Sequence, residues 1–332
     1  MCKTVLFVPA VAGLVACLAI AAPAQAQFTK VWVSSFGQDS PPCGPATFPC
    51  RTLQRAHDKV AAGGEIGVVG PGDYGLPTDP SLSIAKSVHI TNDGAGEASI
   101  LANGGGGIMV SAGVGDVISL RGLVIDGQIN GTVGVTILEA SAVHVQNCVI
   151  RNFESPSSAL GILLISAGNT ELLVSDTIIF NNGNGAQTAG INIQPRASGN
   201  ANVVLDRVHL ENNVRGLWVE GDNGFNGSTG AHVIVRDSVV SGNAGDGILA
   251  TSAPSQAQAF VVVTRTSSVN NGGTGIRASG PRATMLLDDN TVARNGVGLS
   301  ATNGGQLISY GNNRVNNNIG PDGVPTGSDG PI

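Results

Sequence analysis

Asp206-Arg-Val-His-Leu-Glu-Asn212 and Asp237-Ser-Val-Val-Ser-Gly-Asn243 decide the fold of this chain, because their frame keeps returning. Asp176-Thr-Ile-Ile-Phe-Asn-Asn182 and Asp289-Asn-Thr-Val-Ala-Arg-Asn295 repeat it, with the same interval from Asp to Asn. Arg265 to Asn271 and Gly311 to Asn317 keep that interval, and Asn147-Cys-Val-Ile-Arg-Asn152 is a shorter early version. A β-branched run precedes each unit, as in Val203-Val-Leu205, Val233-Ile-Val235 and Val261-Val-Val263. Gly plus an aliphatic follows most of them: Gly161-Ile162, Gly190-Ile191, Gly216-Leu217, Gly247-Ile248, Gly275-Ile276 and Gly298-Leu299.

The Asn series 182, 212, 243, 271, 295, 317 shrinks in spacing from roughly 30 residues to roughly 22, within the range of solenoid repeats. Such a unit holds three short strands and three turns. No helical stretch intervenes, so alternating strand and helix units do not fit. The expected fold is all-β: a parallel solenoid whose strands pair with their copies about 4.8 Å above and below. Inward aliphatics from successive coils then form one core. The sharp turns need residues that tolerate left-handed backbone, and stacked copies can hydrogen-bond along the stack. Asp176, Asp206, Asp237 and Asp289 therefore read as turn formers, not as a catalytic row.

Composition agrees. Of 332 residues, 48 are Gly, 12% are charged and 4% are aromatic. Low charge with many β-branched residues excludes disorder and fits short strands joined by tight turns. The net charge of −6 argues against nucleic acid as a partner.

The chain divides into four segments. Residues 1–26 read as a signal peptide: Lys3, an apolar run to Ala22, and the small-x-small site Ala24-Gln25-Ala26. Leu14-Val15-Ala16-Cys17 offers a lipobox as the minor alternative. The expected location is secreted or periplasmic in a bacterium, with no transmembrane span after the leader. Residues 27–75 form an entrance and cap. Within them Thr52 to Ala62 is predicted as a short capping helix, Thr52 its N-cap and Leu53, Ala56, Val60 and Ala61 its apolar face. Residues 76–318 are the solenoid, and 319–332 a flexible tail. In an oxidising compartment Cys43 and Cys50 pair as a disulfide, while Cys148 reads as a small buried hydrophobe.

Val31-Trp-Val-Ser-Ser-Phe-Gly-Gln-Asp39, Pro49-Cys-Arg-Thr-Leu-Gln-Arg-Ala56 and Pro71-Gly-Asp-Tyr74 resemble the entrance module of bacterial pectate-lyase-like proteins. The repeats after Val143 resemble the right-handed β-helix repeat of that superfamily. The resemblance implies a single-stranded right-handed parallel β-helix, and a function among polysaccharide lyases, glycoside hydrolases, uronate epimerases or proteins without chemistry. The superfamily's enzyme motifs are missing. There is no Gly-His-Gly, no Arg-Ile-Lys and no Arg-x-Pro-x-x-Arg, and Asp79-Pro80 is followed by Ser81 instead of His. Asp288-Asp289 matches a paired Asp motif, but Asp289 belongs to the turn series.

One constellation stands out. Strand alternation sends Thr136, Leu163, Asn192, Trp218, Leu249, Arg277 and Ser300 outward in one ladder. A second outward ladder holds Gln194, Glu220 and Thr251. The resemblance places a carbohydrate groove on this strand face. Trp218, Asn192, Gln194 and Arg277 are the expected ligand-binding residues, with Trp218 stacking on a sugar. The plain alternative packs Trp218 with Phe225 beneath the turn Gly221 to Gly230. Glu220, Asp222 and Asp246 are the weak catalytic candidates, since a glycosidase needs two carboxyls flanking the bond. No cofactor motif or metal pair is present, and calcium is the one ion the acidic turns would suit. The expectation is a non-catalytic protein binding a polysaccharide or another cell-envelope component. The alternative is a divergent lyase or hydrolase acting on an acidic polysaccharide.

Overall fold

The computed structural model describes residues 28–156, 158–196, 198–221 and 230–330. The expected leader with Cys17, and Asp222 and Phe225 in the long turn, lie outside the described residues. Each coil contributes one strand to each of three parallel sheets of twelve, nine and ten strands. One coil runs Leu160–Leu164 in the nine-stranded sheet, Asn169–Ser175 in the twelve-stranded sheet and Ile178–Phe180 in the ten-stranded sheet. Alternate residues point inward, so Ile162, Ile191, Leu217, Ile248, Ile276 and Leu299 stack through the interior, none more than 3% exposed. At roughly 1.5–3 kcal/mol for each buried aliphatic, such columns are the main favourable term of the fold.

The glycines ahead of these aliphatics have a packing reason. A Cβ on Gly161 would lie 2.5 Å from the carbonyl oxygen of Gly190, and on Gly216 2.6 Å from that of Gly247. Only hydrogen fits between coils at this corner.

The turn from the twelve- to the ten-stranded sheet holds a left-handed residue in each coil: Asp176, Arg207, Asp237, Arg265 and Asp289, with φ between 46° and 53°. Acid and base alternate along this row. Arg207 Nε lies 2.7 Å from Asp176 Oδ1, and Arg265 Nε 2.7 Å from Asp237 Oδ1. Asp206, expected to align with the other aspartates, instead ends the strand Asn200–Asp206 and is buried against Arg207 and Arg236.

The Asn stack at the next corner consists of Asn182, Asn213, Asn243, Asn271, Asn295 and Asn318. The backbone N–H of each of the first five donates to the Oδ1 of the next, at 2.9–3.1 Å. Side-chain amides donate back to carbonyls of the preceding coil, such as Asn243 Nδ2 to Leu210 O at 3.1 Å. Asn212 and Asn317 therefore do not belong to the stack. They occupy the left-handed position just before it, with φ of 53° and 58°.

The entrance is covered by the helix Leu53–Lys59, capped by Thr52, whose Oγ1 accepts from Arg55 N at 3.2 Å. The helix is shorter than expected because Val60 turns extended and opens the strand Val60–Val68. Its inner face carries Leu53, Ala56 and His57. Cys43 and Cys50 form a disulfide with Cα atoms 4.9 Å apart, and Cys148 is free and buried. Residues of the segment expected as a flexible tail extend the last coil. Gly298 N donates to Pro321 O, and Gly327–Ser328 pairs with Ile308 and Ser309.

Candidate functional site

The outer face of the nine-stranded sheet carries the expected ladder in register. Thr136 pairs with Leu163, Leu163 with Asn192, Asn192 with Trp218, Trp218 with Leu249, Leu249 with Arg277, and Arg277 with Ser300. Glu220 pairs with Thr251 in the second ladder.

Trp218 is half-buried. The Arg215 guanidinium lies 4.7 Å from the centre of its ring, and the indole Nε1 donates to Thr251 Oγ1 at 3.0 Å. With Leu163 it packs against a small apolar cluster of Val133, Leu160 and Ala189. One ring face is therefore occupied by a cation, a geometry worth about 0.5–2 kcal/mol.

Asn192 and Gln194 converge on Glu220. Asn192 Nδ2 donates to Glu220 Oε1 at 3.0 Å, and Gln194 Nε2 donates to the same oxygen at 2.9 Å. Burial pushes the Glu220 carboxyl above the ordinary carboxylate range, opposed by these two amides and by the charges of Arg215 and Arg196. Asp246, buried, is held by Arg277, with Nη2 to Oδ2 at 2.8 Å, and by the backbone N–H of Thr274 at 2.8 Å. Glu220 and Asp246 are thus each engaged by separate donors.

Two residues of this cluster were not among the sequence-predicted set. Arg196 continues the outward alternation of Asn192 and Gln194 by one further step, so period-two counting carried past Pro195 would have reached it. Arg215 precedes the strand Leu217–Glu220 and donates to the carbonyl of Ala186. Nothing in the alternation marks it. The Nε atoms of Arg196 and Arg277 are buried and have no hydrogen-bond partner among the described residues.

A concavity of about 540 Å³ lies on the outer face of the twelve-stranded sheet, lined by Leu173, Val204, Ile234 and Val262 with His144, His232 and Phe260. It holds no clustered charges of the kind found around Glu220. Among the described residues, the one group of three potential metal ligands is Asp39 with Cys43 and Cys50, whose sulfurs are joined to each other. No described helix is long and apolar enough to cross a membrane.

No family model and no curated protein sequence matches the chain. Solved structures do. The pectate lyase Pel9A is 16% identical, with a TM-score of 0.65 over 91% of this chain and 78% of that one. An alginate lyase from Paenibacillus sp. str. FPU-7 is 16% identical, with a TM-score of 0.56 over 84% of this chain and 95% of that one. At this identity the likeness speaks to architecture, not to chemistry. By its three stacked parallel sheets and by these likenesses, the chain is a right-handed parallel β-helix protein of the pectate-lyase-like fold.

Proposed function

We propose that the chain is a secreted, non-catalytic protein that binds an acidic polysaccharide on the nine-stranded face. One observation carries this reading. On a chain of net charge −6, and among the described residues, Arg196 and Arg215 act on Glu220, Arg277 pairs with Asp246, and Arg215 lies over the Trp218 ring. Three guanidinium groups against two carboxylates leave a positive patch where a carboxylate-bearing sugar can meet bidentate donors. The two buried Nε donors without partners suit such a ligand. Trp218 offers its uncovered surface to the sugar ring. The Cys43–Cys50 disulfide supports an oxidising compartment. A pectate lyase and an alginate lyase of the same fold support a polysaccharide as the class of ligand.

The non-catalytic part rests on the carboxyls. Among the described residues, Glu220 and Asp246 are committed to their own partners and form no free facing pair for acid and base work. A second reading is favoured by one feature. A buried carboxyl with a raised proton affinity, as in Glu220, suits a general acid in a divergent lyase or hydrolase. The test uses polygalacturonate and alginate, with and without calcium. Retention on immobilised polysaccharide without new reducing ends or unsaturated uronate supports binding. Turnover that vanishes in Glu220→Gln would replace it with the enzymatic reading.

A further inference from the structure

Glu220 occupies the place an anionic ligand would take. Its Oε1 already accepts from both amides that reach into the site, Asn192 Nδ2 and Gln194 Nε2. The charges acting on it come from the segments on either side. Arg196 follows the strand Ala189–Ile193, and Arg215 precedes the strand Leu217–Glu220. From the next coil Thr251 stands beside it in register. Asp246 and Arg277 lie beyond and act on the same Arg215. Two donors in this shell, the Nε atoms of Arg196 and Arg277, are buried and without partners among the described residues. The shell therefore has the donors of an anion site, and its most central acceptor is the chain's own carboxylate.

We infer that Glu220 is an internal occupant of this anion subsite, a carboxylate that an incoming ligand carboxylate must displace or neutralise, and that it thereby sets the site's selectivity. The inference rests on the proposed binding of acidic polysaccharide and goes further, by assigning to one residue the control of that binding. The balance follows from charge. With Glu220 ionised, three guanidinium groups face two carboxylates among the described residues. With Glu220 protonated they face one, and a ligand carboxylate restores the balance. A ligand anion beside Glu220 raises that group's proton affinity, so binding draws one proton from solvent onto Glu220. Burial already holds the carboxyl above its ordinary range, the direction that favours this proton uptake. A neutral sugar makes no such demand and binds without proton uptake.

The experiment is calorimetric titration of the protein with oligogalacturonate, and separately with a neutral oligosaccharide of equal length. Each is run in two buffers of different ionisation enthalpy at about pH 8 and about pH 5.5. The expected result is oligogalacturonate affinity at least about threefold higher at the lower pH, with a buffer-dependent heat that reports proton uptake. Glu220→Gln keeps the shape and removes the titration, so its affinity should match or exceed the acidic wild-type value at both pH values, with no buffer-dependent heat. Asp176→Asn, in the exposed turn ladder, should keep the wild-type pH response and so exclude a general effect of net charge. Buffer-independent heat in the wild type, or an unchanged pH response in Glu220→Gln, overturns the inference and leaves the binding reading standing. Absence of binding by either oligosaccharide overturns both.

Discussion

The guanidinium of Arg215 lies over the indole of Trp218, 4.7 Å from the ring centre, while the indole N–H is held by Thr251. The aromatic group is thus pre-positioned and half covered before any ligand arrives. If that cation serves the ligand, Arg215→Ala should weaken acidic polysaccharide binding by about 1–2 kcal/mol, roughly tenfold. Neutral polysaccharide binding should hold or improve, because a ring face is uncovered. Affinity electrophoresis against the two classes checks this, and equal losses for both would contradict it.

The Asn stack permits a sharp contrast between neighbours. Asn243 is 1% exposed, accepts from Asn213 N and donates to Leu210 O. Asn243→Ala leaves those buried groups unpaired and should cost about 3 kcal/mol or more. Asn212→Ala touches only the left-handed turn position and should cost about 1 kcal/mol. Urea unfolding of the two variants measures both, and equal costs would show that the stack does not run through Asn213.

That one-residue distinction shows where sequence reading reached its limit. Asn181-Asn182, Asn212-Asn213 and Asn270-Asn271 are doublets, one member taking the left-handed turn and the other the buried stack. Spacing alone cannot choose between adjacent copies of one residue. The strand face was legible because period two admits a single outward set, and Thr136 through Ser300 pair as that rule requires. The helix end was misplaced because Ala61-Ala62 prolongs a helical pattern that Val60 has already left. The arginine cluster was only partly legible. Arg277 lies on the ladder, but Arg196 and Arg215 come from two different loops and meet only when the coils stack.

His57 couples stability to pH. It is buried on the inner face of the capping helix, and its Nε2 accepts the backbone N–H of Ala85 at 3.3 Å. Burial, with the charge of Lys86, holds its proton affinity below the ordinary value of 6.5, while Asp58 acts in the opposite direction. The unfolded chain therefore takes up a proton near pH 6.5 while the folded chain does not. Stability is complete above that pH and falls as the pH drops below it, by at most about 1.4 kcal/mol per unit. Denaturant midpoints between about pH 7.5 and pH 5 should show this slope, and His57→Gln should reduce it. A flat profile in the wild type would refute the assignment.

Cys148 should be inert. Burial pushes its thiol up to about 11, and its Sγ lies 3.3 Å from the carbonyl oxygen of Gln146. Iodoacetamide at neutral pH should leave it unmodified in the native protein and label it in urea. Native labelling at the rate of a free thiol would mean that this corner opens.

The most direct test of the account is a paired measurement on one sample, binding of polygalacturonate and release of product from it. Saturable, salt-sensitive binding that Arg277→Ala weakens is expected, with no new reducing ends and no unsaturated uronate over hours. Steady product formation abolished by Glu220→Gln, or binding indifferent to the loss of Arg277 and Trp218, would contradict it.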